Sequence, residues 1–298
     1  MSEIAFLGAI ETGLLFGLVA FGIFISFRIL DFPDLTVDGS FPLGAAVSAT
    51  MIVSGFNPWI ATALAMVAGA AAGLVTAWLN VKLKILHLLA SILTMIALYS
   101  INLRIMGRPN IALLGEETLL TPLENFGLPY YWVAPLAFTV VVFVIGALLV
   151  ALLKSEIGLA MRATGANPRM ARAQGVPTAA MILLGMAFSN ALVALSGSLF
   201  AQSQGSADVT MGVGVIVVGL ASVIGGEALM STRTILLAVV ACLLGSIFYR
   251  LVIAFALNAD FIGLKAQDLN LVTAVMVALA IVLPQLKSNI AAKRRSAS

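Results

Sequence analysis

KSEIGLAMRATGANPRMARAQGVP, residues 154–177, is the longest polar stretch between two strongly apolar ones in this chain. It carries Lys154, Glu156, Arg162, Arg169 and Arg172, although only 10% of the 298 residues are charged. Its punctuation predicts two short helices. Gly165 is placed to close the first in the left-handed conformation that a Cβ disfavours. Asn167 is placed to cap the second, with Pro168 at the first helical position, where a missing N–H costs nothing. The pair is expected to lie outside a bilayer. It reads either as a solvated loop that orients the chain or as a surface built to receive a partner.

The bilayer follows from composition. The chain is 61% hydrophobic, with a mean hydropathy of +1.12, whereas soluble domains carry about 25% charged residues. Nine apolar segments are expected, at 8–28, 39–54, 58–80, 85–106, 130–153, 178–202, 209–226, 234–257 and 269–286. Most are long enough to cross a hydrocarbon core of ~30 Å. The fold class is therefore all-α, a polytopic membrane helical bundle of about nine spans forming one domain over residues 1–298. No alternating ten-residue pattern supports a transmembrane barrel, and the acidic start, MSEIAFLGAIETG, is not a cleavable signal.

Basic residues fix the expected orientation. With 154–177 in the cytoplasm, strict alternation puts 12 of the 16 lysines and arginines inside, as the positive-inside rule requires. The N-terminus is then outside and the basic C-terminal tail cytoplasmic. The largest outer loop, 107–129, holds Glu116, Glu117 and Glu124. It reads as a solvated loop or as a docking surface for an external protein.

Two segments are unusual. Residues 39–54 are too few to span comfortably, and 209–226 carry Gly212, Gly214, Gly219, Gly225 and Gly226. Each follows a related string, Asp34-Leu35-Thr36-Val37-Asp38-Gly39 and Asp208-Val209-Thr210-Met211-Gly212. Alternation enters the two strings from opposite sides, as in an inverted repeat with partly broken helices. Such paired, interrupted segments point to a transport path near the midplane. Asp34, Thr36, Asp38, Asp208 and Thr210 are the candidate path residues. Asp34 and Asp208 also read as helix caps, and both roles hold if the half-helices begin inside the bilayer.

Other residues suggest packing. His87, the single histidine, reads as packed or interfacial. Cys242, the single cysteine, has no basic neighbour to activate it. Arg250 would snorkel outward or pair with an acid. Gly13–Gly17 and Gly69–Gly73 are small-xxx-small surfaces for close helix contact. The chain has no Gly-x-x-x-x-Gly-Lys-Ser/Thr loop to cradle phosphate, and one histidine leaves no plausible serine–histidine pair. These features argue against an enzyme and against an ATPase within the chain.

Residues 156–168, followed by Ala171 and Gly175, resemble the cytoplasmic coupling loop of bacterial ABC-importer permeases, a group that includes branched-chain amino acid and ribose permeases. Gly158, Arg162, Ala163, Gly165, Asn167, Pro168, Ala171 and Gly175 are the matching positions. The Asp34 string is similar to one in the ribose branch, with Thr36 for serine and Asp38 inserted before Gly39. The resemblance implies that Glu156 and these matching residues engage separate ABC ATPase subunits, which hold ATP and magnesium, so this chain carries no cofactor or metal of its own. It further implies an external solute-binding protein, a homodimer in the lipid of a bacterial inner membrane, and no nucleic-acid partner. The chain looks closest to single-permease systems for amino acids of the tryptophan/tyrosine type, with sugar or nucleoside as alternative cargo. The rival from another class is a self-sufficient secondary transporter, which the repeat alone would suit equally well.

Overall fold

The first apolar segment forms α1 (Glu3–Ile23), which continues as a π-helical stretch over Phe24–Ile29. The computed structural model describes residues 3–124, 129–257 and 275. After α1 come α2 (Val37–Val53), α3 (Pro58–Leu83), α4 (His87–Met106), β1 (Asn110–Ala112), α5 (Thr121–Glu124) and α6 (Tyr130–Lys154). The polar stretch 154–177 forms α7 (Glu156–Ala166) and α8 (Pro168–Ala173). Then follow α9 (Thr178–Gln204), β2 (Ser206–Asp208), α10 (Val215–Leu229) and α11 (Ile235–Leu257).

Among the described residues, six helices are long and apolar enough to cross a membrane, and α2 and α10 are shorter apolar helices. At 1.5 Å per residue, α2 and α10 extend about 26 and 22 Å, short of a ~30 Å core. The expected segment 269–286 and the basic tail lie outside the described residues, apart from Val275.

The two ends of the bundle are distinct. At one end, Asp31, Asn80, His87, Gly165 and Arg172 surround a cavity of about 410 Å³, and Arg28 pairs with Glu227. At the other, β1 and β2 form an antiparallel ribbon, with Asn110 opposite Asp208 and Ala112 opposite Ser206. The ribbon is a small β element in a predominantly helical fold. Its strands are three residues each, and the Leu113 N–H extends it by donating to the Gly205 carbonyl at 2.8 Å.

The centre is held by close backbone approach. Gly69 and Gly73 of α3 both lie against α9, where added Cβ atoms would strike the Asn190 and Met186 carbonyls. Gly13 and Gly17 of α1 lie against Ile247 and Leu243 of α11. Both small-residue surfaces thus serve packing within one chain. Gly44 of α2 sits hard against the Ala194 backbone, whereas a Cβ on Gly8 would meet nothing within 4 Å. Gly44→Ala should therefore cost about 1–3 kcal/mol through overpacking, and Gly8→Ala almost nothing. Thermal unfolding of the two variants in detergent checks this; equal melting would refute the packing account.

Arg250 neither snorkels free nor pairs with an acid among the described residues. Its guanidinium carbon lies 3.9 Å from the centre of the Phe16 ring, a cation–π contact. His87 stacks on Phe32 with ring centroids 4.3 Å apart. Cys242 is fully buried in the core.

Candidate functional site

The two related strings make the same local turn. The Thr36 N–H donates to Asp34 Oδ1 at 2.9 Å, and the Thr210 N–H donates to Asp208 Oδ1 at 2.7 Å. This is the aspartate turn in which a side chain stands in for backbone. Neither aspartate is the N-cap residue itself: Thr36 precedes α2 and Gly214 precedes α10.

The turns lie in different surroundings. Asp34 is fully buried. Its Oδ2 accepts from Asn190 Nδ2 of α9 at 2.8 Å, and the Ser40 hydroxyl donates to Asn190 Oδ1 at 2.7 Å. The Thr36 and Thr76 hydroxyls pair at 2.7 Å. Asp34, Thr36, Ser40, Thr76 and Asn190 thus form one closed polar knot joining α2, α3 and α9. Asn190 was not legible in the sequence, where it is one asparagine in a long apolar helix. Asp208 sits at the ribbon end, where the Thr210 hydroxyl also donates to it at 2.6 Å. Those Thr210 hydrogen bonds hold its carboxyl below the usual carboxylate range. Their contribution is present above the ordinary carboxylate pKa and is lost as the pH falls through the lowered value.

Asp38 joins the two half-helices. Its Oδ1 accepts from the Ile216 N–H at 2.7 Å and its Oδ2 from the Gly214 N–H at 3.3 Å. A carboxylate of α2 therefore satisfies the open N-terminus of α10, where the helix dipole favours negative charge. The axes then diverge. The Thr50 hydroxyl near the end of α2 donates to the Ile105 carbonyl toward the ribbon, and Glu227 near the end of α10 reaches Arg28 at the opposite end. The starts of the half-helices meet and their ends point apart, the arrangement expected of an inverted pair.

A cavity of about 420 Å³ opens at this junction, lined in part by Asp38, Pro42, Tyr99, Asn102 and Thr210. Of the five candidate path residues, the structure brings Asp38 and Thr210 to this cavity. Asp34 and Thr36 are locked in the knot, and Asp208 stays in its turn at the ribbon.

The residues of α7 and α8 divide by face. Ser155 caps α7 by accepting from the Gly158 N–H at 3.4 Å. Asn167 Oδ1 caps α8 by accepting from the N–H groups of Arg169 and Met170 at 3.1 and 3.0 Å. Glu156, Arg162, Asn167 and Pro168 are exposed, beside the exposed apolar side chains of Ile157, Leu159 and Met170. Gly158 and Ala171 are buried against the bundle, and Ala163 is half-buried.

Gly165 corrects the expectation. It does not end α7 in a left-handed turn; the helix runs through it to Ala166 and stops at Asn167, whose backbone is extended. Gly165 is required by contact instead, because a Cβ there would strike the Ile29 carbonyl. Gly175, with φ of +84°, is the left-handed glycine of this region. Glu116 and Glu117 are exposed near the ribbon, and Glu124 closes α5.

The family model for the branched-chain amino acid transport system permease component matches residues 6–283. The chain belongs to this family. The permease is 40% identical over 268 residues to a tyrosine transport system permease protein of Clostridioides difficile, covering 89% of this chain and 86% of that one. It is 30% identical over 222 residues to the galactofuranose transporter permease protein of Escherichia coli, covering 71% and 61%. In fold it is similar to a chain in the structure of PsaBC from Streptococcus pneumoniae in complex with Fab, with a TM-score of 0.51 at 14% identity, covering 94% of the permease and 91% of that chain. The permease is a membrane component of an ABC-type transport system and not an enzyme.

Proposed function

We propose that the permease imports an amino acid delivered by an external binding protein, driven by separate ATPase subunits that dock on α7 and α8. The observation that carries this reading is the seat of Gly165 against the Ile29 carbonyl and Leu30. That segment leads directly into Asp34 and α2, so displacement of α7 is passed to the half-helix at the central cavity. The exposed face of α7 and α8 mixes Arg162 and Arg169 with Ile157, Leu159 and Met170, a surface suited to a protein partner rather than to water alone. ATPase closure shifts the permease between its open forms to the extent that the partner contacts those forms differently.

In this reading two permeases form a homodimer in a bacterial inner membrane. The N-terminus is outside, the α7–α8 end is cytoplasmic, and Glu116, Glu117 and Glu124 face the binding protein. An amino acid is favoured over a sugar because the tyrosine permease relative is both more similar and more fully covered than the galactofuranose one.

Purification from native membranes in mild detergent should bring down an ATPase in equal amount. Proteoliposomes containing that complex should take up an amino acid only with ATP and binding protein. Uptake driven by an ion gradient without any ATPase would establish the secondary-transporter alternative.

A further inference from the structure

The cavity at the half-helix junction has a buried side-chain acceptor in its wall with no donor among the described residues. Asn102 of α4 is fully buried. Its Nδ2 donates to the Gly39 carbonyl at 3.2 Å, which fixes the amide orientation, since a flip would set oxygen against oxygen. Asn102 Oδ1 then has no donor among the described residues, although buried acceptors are almost always satisfied. The Asp38 carboxylate is already engaged by Gly214 and Ile216. Beside Asn102 on α4 the cavity is apolar, with Met95, Ile96 and Tyr99, and Val213 adds to this lining.

We infer that this cavity is a substrate site of the permease itself, in which Asn102 Oδ1 receives the ammonium group of an α-amino acid whose apolar or aromatic side chain lies along Tyr99 and Met95. An ammonium offers three donors and no acceptor, which suits an acceptor that lacks a donor. The volume of about 420 Å³ falls within the range of small-molecule sites. The inference rests on the amino-acid reading above and adds a place and a recognition group to it.

The test uses the full chain in membranes, with Ser100→Cys as a reporter on the cavity wall and Cys242→Ala to remove the native thiol. A small methanethiosulfonate labels the reporter. The probes are L-tyrosine, L-leucine, 3-(4-hydroxyphenyl)propanoate, which lacks the ammonium, and D-galactose. At about ten times its dissociation constant, a bound amino acid should slow labelling roughly tenfold. The propanoate and the sugar should not slow it. Asn102→Leu, which removes the acceptor, should abolish protection by both amino acids while the reporter remains reactive.

Equal protection by the propanoate, protection by the sugar, or no protection by either amino acid overturns the site. If ATP-driven amino-acid uptake persists alongside any of these results, the site alone falls. Absence of ATP-driven uptake sinks the importer reading itself.

Discussion

Asp34→Ala is expected to destabilise the permease by about 2–6 kcal/mol, because it orphans two buried donors at about 1–3 kcal/mol each. The donors are the Thr36 N–H and one Asn190 N–H. The second Asn190 hydrogen keeps its bond to the Met186 carbonyl at 3.1 Å, so the loss is confined to the knot. Asp34→Asn keeps one acceptor and should cost less. The sharper experiment is the swap. In Asp34→Asn combined with Asn190→Asp, the new asparagine can accept from Thr36 and donate to the new aspartate, which still accepts from Ser40. The double variant should therefore recover part of the loss of the single variants, with an interaction energy in the 0.5–3 kcal/mol range for contacting residues. Unfolding in detergent measures all four proteins. Strict additivity would show that the knot is not a unit.

The second large effect belongs to Gly165. Any side chain there must push α7 away from Ile29 and Leu30. Gly165→Val should thus weaken the proposed mechanical link while sparing the exposed face of α7 and α8. The expected result is co-purification of the ATPase at the normal ratio with ATP-driven uptake reduced about 5–150-fold, the span of a 1–3 kcal/mol coupling energy. Gly175 supplies the contrast. It is left-handed but has open space within 4 Å, so Gly175→Ala costs about 1–2 kcal/mol of backbone strain without moving α7 off its seat. Normal uptake by Gly165→Val, measured in proteoliposomes with ATP and binding protein, would remove the proposed path from α7 to α2.

These two residues also mark where reading the chain succeeds and where it stops. Asn167–Pro168 was legible as a helix start because capping depends on neighbours in sequence. The Asp34 and Asp208 turns were legible as related strings for the same reason. Gly165 reads from its neighbours as a helix stop, but close contact is what requires it. A glycine two residues before a cap resembles a helix stop, while the actual constraint comes from a carbonyl more than 130 residues away in the chain. Arg250 erred similarly, since its partner is a ring on α1 that no local pattern connects to α11.

By itself, the sequence determined the class of molecule: hydropathy and span length force a membrane helical bundle, and the two short glycine-rich segments mark its centre. Those properties are sums over neighbouring residues, so they need no fold to be visible. Only the tertiary structure decided which polar groups meet. It placed Asn190 on Asp34, Asp38 on the start of α10, and Asn102 at the cavity wall, because buried hydrogen bonds in an apolar interior are chosen by which helices lie side by side. For residues 154–177, neighbouring residues predict two short helices, and packing alone seats the first of them on Ile29 and Leu30.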